Sequence, residues 1–559
     1  MASSAASATT HHPAELRGRT REWGQPAALL LAACVLFGLW LRLRGLAAEG
    51  FADDEVHKWL AANRYLAGDF GGDDVEHPML MKSLVALAVL ALPGVLAPET
   101  LTRLPSALAG GLTVWATALL GRRLFGRAAG LLGAALLAFS TTAIGYHRIA
   151  KEDTLLGLFL VLCLWCLAEA KAAADDGLAK GQRRWEFRGA AALGAAFASK
   201  YFIFYFVIPV VAYLWLWPRC AWRVPLRRWL WLVGVSLAVF LALNFTPLMP
   251  STYAYMASYI RGDIVGGDRG VSESLLFMGR LYGNLAPLRG DHPPPWFFLA
   301  FAGVKFAPVT ALLGAAGLGL AIRRRAPAHR VVLVWLAVFY AFSLIAGAKY
   351  GRFFVSVMPA FLLLAAHAGT ELAAWVGARI AAKELGRATR VALATAGLLA
   401  VAPEAHAAFV HAPHQRLYVS AFAGGDRNVS WFLPHCDYFD AGIREAVAWV
   451  AAHAEPEAEV ASEVDWTVRL YAARDGRPEL VSSPILPGRG CRMGRPCYVL
   501  VQPGRIYRHN QAAIERLARA PPAHVELVRG EEAVRVYRLA PGEPLFPPEV
   551  QATEASRAR

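Results

Sequence analysis

The chain has 559 residues, of which 56% are hydrophobic and 18% charged, and a formal net charge of +15. Apolar runs of about 20 residues, long enough to span a bilayer, recur from Ala27 to about Phe409, which excludes one or two ordinary soluble domains. The positive charge does not indicate a nucleic-acid partner, because Lys and Arg sit in short clusters between apolar runs, at Arg122-Arg123, Arg183-Arg184, Arg227-Arg228 and Arg323-Arg324-Arg325. That is the pattern of cytoplasmic loops in a multi-pass membrane protein.

Residues 1–25 form a polar tail carrying Arg17, Arg19 and Arg21, read as cytoplasmic and leading into a retained first helix rather than a cleaved signal peptide. That helix, about Ala27 to Leu46, opens a membrane domain covering 26–412 and delivers a first outer loop, 47–102. The loop holds two acidic clusters, Asp53-Asp54-Glu55-Val56-His57 and Asp74-Val75-Glu76-His77-Pro78. Carboxylates beside hydrocarbon are costly and mark chemistry or a transport path. Leu80 to Ala97, broken by Pro93, is read as interfacial or re-entrant, because only then does the basic loop at Arg122 face the cytoplasm while Asp153 faces outward. Crossings are expected at Leu104 to Leu120, Ala128 to Tyr146, Leu155 to Ala170, Gly189 to Ser199, Phe202 to Trp217, Trp229 to Phe245, Trp296 to Ile322, Val331 to Ala346, Phe353 to Trp375 and Val391 to Phe409. With the first helix they make about eleven, an odd count that leaves the C-terminal region outside.

From about His414 the texture becomes that of a soluble domain, 413–546. Ala441 to His453 and Arg508 to Arg519 read as helices, and Glu459 to Glu463, Arg477 to Ser482, Tyr498 to Gln502 and segments near Val525 and Val534 as strands. This alternation predicts a small extracytoplasmic α/β domain, followed by a disordered tail, 547–559. Cys34, Cys163 and Cys166 fall in apolar spans and read as packing.

The outer loops collect carboxylates and cations on one face: Asp53, Asp54, Glu55, His57, Glu76, His77, Lys82, Arg103, His147, Arg148, Lys151, Glu152, Asp153, Lys200, Lys349 and Arg352. Such a mixture at the mouth of a helical bundle suits a reaction in which a base activates an acceptor and cations hold a phosphate leaving group. Asp54 and Glu55 are the preferred pair for the base. His57 and His77 read as orienting groups, although Asp54, Glu55, His57 and His77 also have the chemistry of a mixed N/O divalent-metal site, the one cofactor the residues leave open. Lys200 and Lys349, with Arg352, lie where the positive-inside bias disfavours them, which suits phosphate binding.

These residues resemble a known family. Asp54-Glu55-Val56-His57, followed by Val75-Glu76-His77-Pro78-Met79-Leu80-Met81-Lys82, is similar to segments of the protein O-mannosyltransferases. Arg103-Leu104-Pro105-Ser106-Ala107-Leu108, Arg148 with Asp153, Ser199-Lys200 and Lys349-Tyr350 through Pro359 look like segments shared with the lipid A aminoarabinose transferases. The resemblance runs from about Leu41 to Leu364 and implies a family 39 glycosyltransferase with the GT-C fold. It implies a polyprenyl-phosphate sugar donor, an acceptor that is a lipid, glycan or protein, and catalysis at the outer face of a bacterial inner membrane. On it, Asp54 is catalytic with Glu55 beside it, and Glu76 and Asp153 join them. Lys200, Arg148, Lys349, Arg352 and Arg103 form the donor phosphate set, with His57, His77 and Lys82 auxiliary. Met79 replaces a second proline, and the β-trefoil insertion of the eukaryotic enzymes is missing, which weighs against a protein acceptor. The run 432–446 looks like a segment of bacterial members and receives no role from sequence. The alternatives are a secondary transporter or lipid flippase, disfavoured by midplane stretches almost free of charge, and a catalytically inactive scaffold.

Cys491 and Cys497 flank Arg492-Met493-Gly494-Arg495-Pro496, where Gly and Pro permit a turn that joins the thiols; reduced cysteines, or Cys436 as a different partner, stay open. Closing so small a loop contributes about 2 kcal/mol. Non-reducing peptide mapping of protein from native membranes is expected to recover a 491–497 bridge, and alkylation of both thiols without reduction would refute it.

Overall fold

The computed structural model describes residues 23–71, 75–216, 225–261, 274–283, 291–345, 349–380, 385–487, 491 and 494–547. Most of the expected N-terminal tail, most of the C-terminal one and Asp74 of the second acidic cluster lie outside these residues. The protein has a bundle of helices, several of them long and apolar enough to cross a membrane, followed by a small C-terminal domain. In chain order its membrane part comprises α1 (Gln25–Leu43), α2 (Asp53–Leu66), α3 (Met79–Ala91), α4 (Pro98–Phe125), α5 (Arg127–Phe139), α6 (Thr141–His147), α7 (Glu152–Asp175) and α8 (Ala179–Ser199). It continues through α9 (Val207–Leu216), α10 (Leu226–Leu243), α11 (Pro250–Arg261), the hairpin β1 (Ser274–Phe277) and β2 (Arg280–Gly283), α12 (Phe297–Lys305), α13 (Pro308–Arg324), α14 (Pro327–Ile345), α15 (Met358–Ile380) and α16 (Leu385–Val410).

Among the described residues six helices are long and apolar enough to cross a membrane, and α5 with α6 makes a seventh if the bent pair is one span. Proline or a small residue marks each break. Gly126, at φ 97°, ends α4 and starts α5 in one step. The two helices then touch backbone to backbone: a Cβ on Gly121 would stand 2.9 Å from the Gly130 Cα.

Two segments expected to be single crossings are broken. Ala128 to Tyr146 bends by 61° between α5 and α6. The carbonyls freed there are taken by Arg42 of α1, which donates to Leu137 (2.9 Å) and Ala138 (3.2 Å), while its Nε donates to His147 Nδ1 (3.0 Å). Trp296 to Ile322 divides into α12 and α13, and the Glu404 carboxylate accepts the Ala307 N–H at the break (2.9 Å). Arg42 and Glu404 are therefore ionisable groups inside the bundle, where the sequence reading expected almost none, and both cap interrupted helices. Gly189 to Ser199 is the second half of the 21-residue α8.

The C-terminal domain holds the short α17 (Val429–Phe432) and α18 (Pro434–Tyr438), then α19 (Ile443–His453), β3 (Glu459–Ser462), α20 (Asp465–Arg474), β4 (Val481–Ser483), β5 (Cys497–Val501), α21 (Gln511–Leu517), β6 (His524–Val528) and β7 (Glu531–Leu539). Its sheet order is β4-β3-β5-β7-β6. β3 runs parallel to β4 and β5, with Glu459 opposite Val481 and Cys497, and β7 is antiparallel to both β5 and β6. Arg529 and Gly530, both at positive φ, form the tight β6–β7 turn. Cys491 and Cys497 are disulfide-bonded with Cα atoms 5.4 Å apart. The sequence reading missed α20, α11 and the β1–β2 hairpin.

α3 has only 13 residues, about 20 Å of helix against a hydrocarbon core near 30 Å. A cysteine at Val95, just beyond it and 69% exposed, is expected to react with an impermeant maleimide from the outer side, and one at Arg127 only from the cytoplasm. Labelling of the cysteine at 95 only from the cytoplasm, and of that at 127 from the outside, would show that this segment crosses fully.

Candidate active site

Three carboxylates occupy the first turn of α2, where the helix dipole favours negative charge. Their surroundings give them separate tasks. Glu55 is fully buried, and each of its oxygens accepts two hydrogen bonds. Oε1 receives Arg103 Nε (2.9 Å) and the Ala150 N–H (2.9 Å); Oε2 receives Arg103 Nη2 (2.5 Å) and the Ala52 N–H (3.1 Å). Arg103 spends its remaining N–H groups on the carbonyls of Leu46 (2.7 Å), Glu49 (2.9 Å) and Gly50 (2.5 Å). The expectation of Glu55 as an alternative base and Arg103 as a phosphate ligand is thus corrected: the pair is saturated and braces the loop. Arg148 is corrected likewise, since it donates to the carbonyls of Leu41 (3.2 Å), Arg44 and Gly45 (2.7 Å) and so closes the C-terminus of α1.

Asp54, by contrast, is 36% exposed and opens onto a cationic pit. Lys151 Nζ lies 2.5 Å from its Oδ2, and Arg352 Nη1 lies 4.0 Å from the same oxygen. Burial raises the Asp54 carboxyl, but Lys151, Arg352 and Lys58 outweigh it and hold the group well below the usual carboxylate range. Burial pulls Lys151 down to about 8, with Asp54 opposing. Arg352 is stacked over the Tyr350 ring (4.3 Å), which fixes its approach. Asp53 behaves differently: burial lifts it to about 6, against the pull of Arg505 and His57 and with Asp440 and Asp54 adding to the rise.

The ionic chain continues away from Asp54. Lys58, one helical turn on and fully buried, donates to the Asp54 carbonyl (3.3 Å) and pairs with Glu152 (2.9 Å), which His77 approaches at 3.8 Å. Asp153 beside it holds Lys200 (2.6 Å), whose ammonium also faces the rings of Phe202 and Phe353, each at 4.4 Å. The structure therefore brings together Asp54, Asp153, Lys200, Arg352 and His77 of the expected set. Glu76 is half-buried in the turn before α3, Lys82 is buried and donates to the His77 carbonyl (2.9 Å), and Lys349 is buried in the turn leading to Arg352.

Asp54, Glu55, His57 and His77 do not converge. Glu55 is turned to Arg103, and His57 lies 4.0 Å from Asp53 with its ring 5.7 Å from Trp466. Among the described residues no group of three or more His, Cys, Asp and Glu side chains is arranged to hold a metal ion. Lys58 was missing from the expected outer-face set, and Lys151 and Glu152 were in it without a role. The spacing of Lys58 four residues after Asp54 was a usable signal.

Removing the Arg103 side chain strands a buried carboxylate, so Arg103→Ala is expected to lower stability by about 3–5 kcal/mol. Unfolding of the detergent-solubilised protein measures it. A variant of wild-type stability that has lost only donor affinity would return Arg103 to the phosphate set.

The sequence profile of the dolichyl-phosphate-mannose-protein mannosyltransferase family matches residues 76–246. No curated protein sequence matches the chain. Among solved structures, ArnT from Cupriavidus metallidurans, bound to undecaprenyl phosphate, aligns over 94% of this chain and 100% of its own at 15% identity and a TM-score of 0.50. The Archaeoglobus fulgidus oligosaccharyltransferase aligns over 82% of this chain and 63% of its own at 13% identity, with a TM-score of 0.48. The Pmt1 and Pmt2 protein O-mannosyltransferase complex of S. cerevisiae aligns over 47% of this chain and 40% of its own at 20% identity, with a TM-score of 0.33. The chain has the GT-C fold that ArnT also has, and over residues 76–246 its sequence resembles the dolichyl-phosphate-mannose protein mannosyltransferases.

Proposed function

We propose that the protein is a membrane glycosyltransferase that moves a sugar from a polyprenyl-phosphate carrier to an acceptor hydroxyl at the outer face of a bacterial inner membrane. The N-terminus is cytoplasmic and the C-terminal domain extracytoplasmic. One observation carries the reading: a partly exposed carboxylate, Asp54, lies within reach of Lys151 and Arg352, beside the Lys200–Asp153 pair. A base next to fixed cations is what displacement of a phosphate leaving group requires. The undecaprenyl phosphate held by the similarly folded ArnT supports the same donor class here.

In this reaction the acceptor O–H proton passes to Asp54, and the acceptor oxygen bonds to the anomeric carbon. The bond from that carbon to the phosphate oxygen breaks, its electron pair leaves on the phosphate, and the carrier departs with one more negative charge. Lys151, Arg352 and Lys200 receive that charge. As they turn to the phosphate their hold on Asp54 weakens, which raises its affinity for the proton it must accept. Single displacement inverts the anomeric configuration. The acceptor is a lipid or glycan hydroxyl, or a protein side chain.

Turnover of labelled polyprenyl-phosphate sugars by the purified protein is the test. Asp54→Asn is expected to reduce it by on the order of 10²-fold or more while the protein stays folded, with smaller losses for Glu76→Gln and Asp153→Asn. Lys200→Ala is expected to weaken donor use more than Lys200→Arg, because charge is what matters there. Wild-type turnover in Asp54→Asn would reassign the base.

A further inference from the structure

The run 432–446 links α17 to α19 and threads between the membrane bundle and the C-terminal sheet. Four of its consecutive side chains, 435–438, and the next polar one, Asp440, are buried or nearly so. His435 Nδ1 donates to the Gly504 carbonyl (2.9 Å), and its ring lies 5.4 Å from Tyr350, the ring that carries Arg352. Cys436 Sγ accepts the Gly351 N–H (3.2 Å), and Asp437 pairs with Lys305 at the end of α12 (2.7 Å).

Asp440 reaches furthest into the reaction centre. Its Oδ2 accepts the backbone N–H of Asp53 (3.0 Å), the residue before the proposed base. Arg505 clamps both Asp440 oxygens from the sheet side, with Nε 2.7 Å from Oδ1, and Gln502 donates to Oδ1 at 3.2 Å. The carboxylate is 2% exposed. Phe439 and Asp440 are both non-glycine residues at positive φ, 43° and 63°, a backbone state that surrounding contacts must hold. The turn they make delivers the Asp440 carboxylate to the first N–H of α2, that of Asp53. Helix N-terminal N–H groups lack partners within the helix, so an external carboxylate there fixes the helix start.

We infer that residues 435–440 form a clamp through which the C-terminal domain sets the distance between Asp54 on α2 and Arg352 on the turn 349–352, with Asp440 the positioning residue for α2. This role rests on the proposed glycosyltransferase reaction. Asp440 touches neither reacting atom; it acts through the Asp53 backbone, and Arg505 acts through Asp440.

The test compares Asp440→Ala, which removes the acceptor of the Asp53 N–H, with Asp440→Asn, which keeps an oxygen at that place. Two readouts are taken on the full-length protein in detergent: kcat and KM for a polyprenyl-phosphate sugar, and hydrogen exchange of the peptides covering residues 50–58 and 349–354. Asp440→Ala is expected to lose on the order of tenfold or more in kcat with donor KM nearly unchanged, and to exchange faster in 50–58. Asp440→Asn is expected to recover most of both. If Asp440→Ala fails to fold, Arg505→Gln and Arg505→Lys replace it, with the loss expected in the first and partial recovery in the second. Unchanged kcat and unchanged exchange in a folded variant overturn the clamp, as does a rise in donor KM that accounts for the whole loss. Faster exchange in 50–58 of Asp440→Ala, with a wild-type protein that turns over no polyprenyl-phosphate sugar, would uphold the clamp and overturn the glycosyltransferase reading instead.

Discussion

The buried pair of Glu55 and Arg103 is the interaction on which the rest of the outer face depends. Arg103 belongs to a long membrane helix, while every group it binds lies in the loop between α1 and α2 or in the first turn of α2. A guanidinium presents its donors in a rigid plane, so five satisfied N–H groups define where that loop runs, not merely that it stays near. Glu55 extends the definition to the segment leading into α7, because it also accepts the Ala150 N–H beside Lys151. The carboxylate of Asp54 and its cation are thus both referenced to one buried ion pair. Buried ion pairs contribute little net stability, and fixing a conformation is their best-supported use.

The C-terminal domain is the second reference frame. It grips the same loop from outside: Tyr471 Oη accepts the Phe51 N–H (2.6 Å), and Arg444 donates to the Ala47 carbonyl (2.9 Å) and to that of Ala48 (3.0 Å). Arg416 and His414 pair with Glu49. Gly50 permits this closeness, since a Cβ there would stand 2.7 Å from the Cβ of Arg444. A short loop pinned from both sides has little conformational freedom left to lose when substrates bind, the condition for an accurately placed catalytic group.

The broad architecture was legible in the sequence because hydropathy and charge asymmetry report directly on burial in lipid, and the small sheet because buried strands such as Cys497–Val501 are continuous apolar runs. The acidic first turn of α2 was legible since carboxylates so close to apolar segments need a reason. Breaks inside apolar segments were not: a hydropathy window passes over Ser140 and Pro308, and the Arg42 and Glu404 caps come from helices distant in sequence. Arg103 and Arg148 looked like phosphate ligands because a sequence shows that a cation is present and never which carbonyls consume it. Lys58 was overlooked although its spacing from Asp54 was visible. The partners of 432–446 lie as far away as Asp53, a separation at which one sequence carries no pairing signal.

The ion pairs meeting at Asp54 set Asp54, Glu152 and Asp153 against Lys58, Lys151, Lys200 and Arg352, a surplus of one positive charge. In the proposed reaction a lipid-linked sugar phosphodiester brings one negative charge, which balances the surplus of these seven groups. After transfer by the proposed reaction the carrier holds two negative charges and Asp54 a proton, and the total is again zero. Chemistry in a poorly solvated pit then proceeds by moving charge within a neutral volume, without creating any. The cost is deferred to product release: once the dianion leaves, the pit is doubly positive until Asp54 gives up its proton to the aqueous side. In the proposed reaction, deprotonation of the base and departure of the carrier are therefore linked events, and the resting state is restored by loss of a proton as much as of a lipid.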